Sequence, residues 1–235
     1  MKQKYKTIGI LGGMGPAATA ELYNRIISTF QISFNAKYDS DFPPVIIYSL
    51  PLPDIVENVK SEKAIVNMLV EAVKKLENAG ASLIAVPCNS VFYYFDQMQS
   101  AISIPIINIM NETAREIFTK RYQRVGLLGT RLTIKKKLFD KSLKKYGISI
   151  INPTANQQKL LTKIIMNVLS GKELRKDTIQ LQSTIRYLQN KGAEAVILGC
   201  TELPLIMSKK NTTIELFDTI QVITNAVINR VLNKS

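Results

Sequence analysis

The sequence predicts an α/β protein of two pseudo-symmetric αβα halves, each with a central parallel sheet, and with the functional site in the cleft between them. Three observations predict it. Short, continuous apolar runs read as strands buried on both faces, and they alternate with amphipathic helix patterns. The alternation is carried twice along the chain. The turns rich in Gly, Cys and Thr follow the strands, at the carboxyl ends where parallel sheets of this kind bind their ligands.

The first strand is Thr7-Ile8-Gly9-Ile10-Leu11, which runs into the turn Gly12-Gly13-Met14-Gly15-Pro16. Residues 17–29 come next, with Leu22, Ile26 and Ile27 at helical spacing. Arg124-Val125-Gly126-Leu127-Leu128-Gly129-Thr130 repeats that strand, with Gly9 matching Gly126 at an offset of 117. Gly80-Ala81 and then Leu83-Ile84-Ala85-Val86 lead to Cys88; Gly192-Ala193 and then Ala195-Val196-Ile197-Leu198 lead to Cys200, at an offset of 112. Ile104-Pro105-Ile106-Ile107-Asn108 matches Ile214-Glu215-Leu216-Phe217-Asp218 at an offset of 110. Three matches in one order, with offsets that drift by a few residues, predict two copies of one layout. Amphipathic helices over 64–78 and 179–190 precede the two Cys strands, each closed by a Gly. The expected division is 1–113 with 216–235 as one domain and 114–215 as the other. The stretch 31–44 reads as a lid, an interface element or a loop.

Composition removes several chemistries. The 235 residues include no His, so one chain can hold no Ser-His-Asp or Cys-His relay, no His-ligated metal and no imidazole proton shuttle. Acid–base work near neutral pH falls to a carboxylate, a Lys or a Cys. Two cysteines cannot build a zinc site alone, no metal site is expected, and reduced thiols in a cytoplasm are the expected state. The basic N-terminus resembles a leader only superficially, because Gly9, Gly12 and Gly13 cut its apolar run. No stretch reaches the ~20 apolar residues of a membrane span, so no membrane partner is expected. The net charge of +13 is spread along the chain, and Lys135-Lys136-Lys137 reads as a solvated helix face, so no nucleic-acid partner is expected.

The two cysteines stand where a thiol would be activated. Cys88 precedes Asn89-Ser90, good capping residues, and a helix predicted over 91–101; Cys200 precedes Thr201 as a cap, with Glu202 and Pro204 in a first turn. A helix N-terminus lowers a thiol's pKa. A buried structural role is the common fate of one Cys, but equivalent strand ends in a repeated unit favour function for both. Such a pair is either a redox disulfide or a two-base proton-transfer pair. The Gly12–Pro16 turn lacks both G-x-G-x-x-G spacing and a G-K-[ST] ending, so it suits an anion such as a carboxylate better than a nucleotide.

Ile8-Gly9-Ile10-Leu11-Gly12-Gly13-Met14-Gly15-Pro16 with Ala18-Thr19, then Pro87-Cys88-Asn89-Ser90, then Leu198-Gly199-Cys200-Thr201-Glu202-Leu203-Pro204-Leu205 closely resemble the aspartate/glutamate racemase family, its aspartate racemase branch in particular. The resemblance runs end to end. It implies a pyridoxal-independent amino-acid racemase without cofactor, usually a homodimer, in which Cys88 and Cys200 flank the substrate α-carbon. One thiolate removes the α-proton and the other thiol returns a proton to the opposite face. Asp54, Asn89, Ser90, Thr130, Thr133, Thr201 and Glu202 become candidate substrate-binding residues, with Met14 shaping the pocket. Aspartate is the first substrate implied, with glutamate or a broader range behind it. A maleate isomerase or decarboxylase-like relative, an inactive amino-acid-binding protein and a thiol redox protein are the alternatives.

Several positions depart from the family pattern, Ser90 among them, where many members have Thr. Phe92 stands where many members have His, Ile55 where aspartate racemases carry Arg, and Leu169 where they carry Lys. Arg131 or a nearby Lys is the substitute to look for; a pocket lacking any cation would favour a neutral or apolar amino acid.

Overall fold

The computed structural model describes residues 4–53, 61–172 and 174–232. The first half runs through β1 (Ile8–Gly12), α1 (Pro16–Phe34), β2 (Val45–Ser49), α2 (Glu62–Asn78), β3 (Leu83–Ala85), α3 (Phe95–Ser100) and α4 (Ile109–Thr119). The second runs through β4 (Arg124–Gly129), α5 (Arg131–Lys135), α6 (Asp140–Lys144), β5 (Ser149–Ile151), α7 (Ala155–Leu169), α8 (Arg175–Asn190), β6 (Ala195–Gly199), α9 (Leu203–Ile206) and β7 (Glu215–Asp218). The last helix, α10 (Thr219–Val231), packs on α1 and α4.

Every strand pair is parallel, in the orders β2-β1-β3 and β5-β4-β6-β7. The first sheet gains a fourth position through Ile106, which bridges in parallel to Ile84. There the Ile84 N–H donates to the Pro105 carbonyl at 2.9 Å and the Ile107 N–H to the Ile84 carbonyl at 2.8 Å. The two strand orders then coincide, and the three sequence correspondences fall on β1 with β4, β3 with β6, and 104–108 with β7. Because β7 belongs to the second sheet as far as Asp218, the chain returns to the first half at Thr219 rather than at 216.

Burial explains why these strands read as continuous apolar runs. All five residues of β1 and of β6 are buried, because helices cover both faces of the sheets. In the second sheet Val125, Leu127, Ala195, Ile197 and Phe217 join the core shared with the first half, whereas Leu128, Val196 and Leu198 face a separate cluster with α7 and α8. The edge strand β2 is only half-buried.

Helix limits reflect local chemistry. α2 starts earlier than the apolar period alone suggests because the Ser61 hydroxyl accepts from the Ala64 N–H at 3.3 Å. Pro16 opens α1, whose missing N–H costs nothing in a first turn. The stretch 31–44 is the last turn of α1 and then a short 3-10 turn, Asp39–Asp41, leading to β2. Residues 91–101 do not form one helix: Ser90–Tyr94 is a 3-10 segment, and α3 begins only at Phe95.

The loop after β1 is held by close backbone approach. Gly13 has φ +91°, and a Cβ there would meet Leu50 backbone atoms at 2.4–2.9 Å; Gly80 has φ +94° but open space around that position. Both Ala substitutions incur roughly 1–2 kcal/mol for the left-handed backbone, and Gly13→Ala roughly 1–3 kcal/mol more from overpacking. Urea denaturation of Gly13→Ala against Gly80→Ala is the check, and equal losses would show that contact with Leu50 is not limiting.

Candidate active site

One cavity of about 170 Å³ opens at the carboxyl ends of β1, β3, β4 and β6. Its lining joins the two halves: Gly13, Met14, Gly15, Leu52, Pro53, Cys88, Asn89 and Ser90 from the first, and Thr130, Leu169, Cys200, Thr201 and Glu202 from the second. Both cysteines are free and buried. The wider clefts elsewhere on the described surface contain neither thiol.

Hydrogen bonds between strand ends fix this arrangement. Asn89 does not cap a helix with its side chain; its Nδ2 donates to Thr219 Oγ1 at 3.0 Å, at the start of α10. The Ser90 hydroxyl bonds with Thr130 Oγ1 at 2.8 Å and Thr133 Oγ1 at 3.4 Å. Thr201 is not the cap of α9 either. That position is held by Glu202, and the Thr201 hydroxyl donates to the Pro87 carbonyl at 3.1 Å, one residue before Cys88. Thr130 alone among these caps a helix, accepting from the Thr133 N–H at 3.2 Å.

The environment reverses the direction expected for the thiols. Burial pushes the Cys88 thiol from the ordinary 9.0 up to about 12, and the charge of Glu202 adds to the rise. The N–H groups of Val91 and Ser90 act the other way, as a helix start should, but burial outweighs them. Burial, then the charge of Glu202, holds the Cys200 thiol well above its usual value, with a smaller contribution from Cys88. Cys200 Sγ donates to Glu202 Oε2 at 2.9 Å. Burial also raises the Glu202 carboxyl, against hydrogen bonds from Cys200, the Glu202 and Gly15 N–H groups and Thr201.

Of the expected site residues, Met14, Cys88, Asn89, Ser90, Thr130, Cys200, Thr201 and Glu202 converge on the cavity. Thr133 lies behind Thr130, bonded to it and to Ser90, and is not in the lining. Asp54 and Ile55 fall outside the described residues. Arg131 is exposed and absent from the lining, and Phe92 is buried and stacked on Phe95 with centroids 5.8 Å apart. Sequence reasoning missed Leu52 and Pro53, which the cavity borrows from the loop after β2, and Thr219, which orients Asn89. Apolar loop residues give no sequence signal for a site; Thr219 comes directly after Asp218, a readable helix cap, and that was its only signal. Among the described residues no group of three His, Cys, Asp or Glu could hold a metal ion, and no helix is long and apolar enough to cross a membrane.

Two parallel sheets meeting at a site with one thiol from each define a class of duplicated α/β proteins with the site at the seam. The pattern of the Asp/Glu/Hydantoin racemase family matches residues 11–227, and the chain belongs to that family. It is 28% identical over 225 residues to a broad-specificity amino-acid racemase of Bacillus subtilis (strain 168), covering 96% of this chain and 98% of that protein. It superposes on Picrophilus torridus aspartate racemase with a TM-score of 0.83 at 26% identity, covering 96% of this chain and 94% of that one. An aspartate racemase homologue from Pyrococcus horikoshii gives a TM-score of 0.79 at 31% identity, with 96% and 98% covered.

A thiol raised from 9.0 to about 12 has a thiolate fraction about a thousandfold smaller at neutral pH. In a Cys200→Ser background, alkylation of Cys88 by iodoacetamide at pH 8 is expected to be at least tenfold slower than that of free cysteine and to rise steeply above pH 10. Adding Glu202→Gln removes a charge that opposes the thiolate, so the rate should increase severalfold. An unchanged rate would remove Glu202 from the thiol's electrostatics.

Proposed function

We propose that the protein is a cofactor-independent racemase of α-amino acids in which Cys88 and Cys200 are the proton-transfer pair. The observation that carries this is the meeting of two buried thiols, from equivalent strand ends of a repeated unit, in one cavity. Racemisation needs an acceptor on one face of the α-carbon and a donor on the other, and a duplicated fold supplies matching groups there.

In the proposed step the thiolate of one Cys takes the α-proton: the Cα–H bond breaks and an S–H bond forms. The other thiol then gives its proton to the opposite face of the carbanion. Nothing is oxidised or reduced, and the roles are exchanged at the end. Burial that lifts a thiol's pKa also makes its thiolate a stronger base, which narrows the gap to a weakly acidic Cα–H. Glu202 Oε2, at 2.9 Å from Cys200 Sγ, accepts the hydrogen bond of that thiol and orients it when Cys200 is the proton donor. The hydroxyls of Ser90 and Thr130, the Asn89 amide and the Glu202 carboxyl are the proposed substrate contacts, with Asp54 kept from the motif and Thr133 supporting Ser90 from behind.

Aspartate is the substrate first implied by the motifs, and the similar proteins include an aspartate racemase, a broad-specificity amino-acid racemase and glutamate racemases. The division into 1–113 with the returning C-terminal segment, and the second half between them, belongs to the same proposal and is supported by α10 packing on α1 and α4. So does a homodimer in a reducing cytoplasm, which two free thiols suit.

Cys88→Ser and Cys200→Ser are each expected to lower racemisation at least a thousandfold, because either loss breaks the relay. The measurement is exchange of the α-hydrogen for solvent deuterium across L- and D-amino acids under reducing conditions. Near-normal racemisation by either variant would sink the two-thiol proposal.

A further inference from the structure

We propose, resting on the racemase reading, that the cavity selects α-amino acids with an uncharged side chain over aspartate and glutamate, and that Asn89 Oδ1 and Glu202 Oε1 receive the α-ammonium. Among the described residues four buried side-chain polar atoms have no hydrogen-bond partner, and two of them belong to residues lining this one cavity. Those two are Glu202 Oε1 and Asn89 Oδ1; Tyr94 and Gln158 lie outside the lining. Both residues are more than nine-tenths buried, Glu202 at 4% and Asn89 at 2% exposure.

The Asn89 amide is oriented by its neighbour. Thr219 uses its hydroxyl proton on the Leu198 carbonyl at 2.9 Å, so its oxygen accepts from Asn89 Nδ2 and leaves Oδ1 unpaired. A carboxylate oxygen and an amide oxygen, both buried and neither holding a hydrogen bond of normal geometry, call for a ligand that brings N–H groups. An ammonium has three, and its charge balances Glu202.

The remaining wall decides the side chain. Met14, Pro16, Leu52, Pro53 and Leu169 are apolar, and the described lining contains one carboxylate and no Lys or Arg. A substrate carboxylate on the side chain would enter against the charge of Glu202 with no cation among the described lining residues to receive it. A basic side chain would meet the apolar wall once the α-ammonium occupies Glu202. Leu169 lines the cavity beside Gly15, where an added Cβ would lie 2.9 Å from Leu169 Cδ2, so a residue at 169 starts at the cavity wall. The Ser90 and Thr130 hydroxyls, which can redirect their protons, remain for the α-carboxylate.

The experiment is racemisation by the full-length protein of alanine, leucine and methionine against aspartate, glutamate, lysine and arginine. The expected result is a kcat/KM at least tenfold higher for the best uncharged substrate; highest turnover on an acidic or basic amino acid overturns the proposal and leaves the racemase reading standing. Leu169→Lys is expected to raise kcat/KM for aspartate at least tenfold relative to the best uncharged substrate, and an unchanged ratio overturns the assignment of the wall. The 2-hydroxy analogue of the best substrate lacks the ammonium and is expected to bind at least tenfold more weakly; equal affinity overturns the role of Glu202 and Asn89. Absence of α-hydrogen exchange with every amino acid in the panel overturns the racemase reading instead. Calorimetric binding of the same panel then decides the substrate class, uncharged amino acids binding best supporting it and any other order, or no binding, overturning it.

Discussion

Polar side chains that reach from one half of the molecule to the other hold the cavity in its shape. Thr201 donates to the Pro87 carbonyl, Ser90 shares its hydroxyl with Thr130 and Thr133, and Asn89 reaches the second sheet through Thr219, whose own hydroxyl donates to the Leu198 carbonyl of β6. Each is a neutral bond with a modest net contribution, about 1 kcal/mol. Their importance is positional, because each connects a residue next to one thiol to the opposite sheet. Burial of these groups makes breaking a bond more costly than its net worth, since the abandoned partner stays desolvated. The same burial raises both thiols and the carboxylate, so rigidity and elevated basicity have one cause.

The duplicated architecture was legible because parallel strands buried on both faces leave a dense apolar record. The match of 83–86 with 195–198 falls on β3 and β6, and that of 104–108 with 214–218 falls on equivalent sheet edges. That first edge is reduced to a single bridge at Ile106, yet its sequence still carries the strand pattern. The identity of the lining was legible where a residue is attached to a strand end: Cys88, Asn89, Ser90, Thr130, Cys200, Thr201 and Glu202. Leu52 and Pro53 were not, because nothing local in an apolar loop says which strand end it will fold over.

Local rules failed at one kind of place, the residues right after the Cys strands. Asn89, Ser90 and Thr201 have the chemistry of helix caps, but their side chains are drawn away, Asn89 to Thr219 at the start of α10 and Ser90 and Thr201 to the other half of the molecule. The chain accordingly forms a 3-10 segment after Cys88 and a four-residue helix after Cys200, rather than two long helices. The sign of the thiol shift failed for a related reason. The helix-start effect is local and readable, and it does act on Cys88 through Ser90 and Val91. Burial and the charge of Glu202 are properties of the closed seam and exist only once both halves are in place.

Duplication also stops short of the chemistry. At the offset that relates Cys88 to Cys200, Ser90 corresponds to Glu202, so one thiol has a hydroxyl two residues on and the other a carboxylate. Cys200 donates directly to that carboxylate, whereas Ser90 is tied to Thr130 and Thr133. The charge of Glu202 nonetheless reaches both sulfurs, raising Cys88 as well as Cys200. One acidic side chain therefore does three things at once: it adds its charge to the burial that raises both thiols, accepts a hydrogen bond from one of them, and leaves an unpaired oxygen in the cavity. In a chain with no His, this single carboxylate is the group through which the two otherwise equivalent half-sites become different.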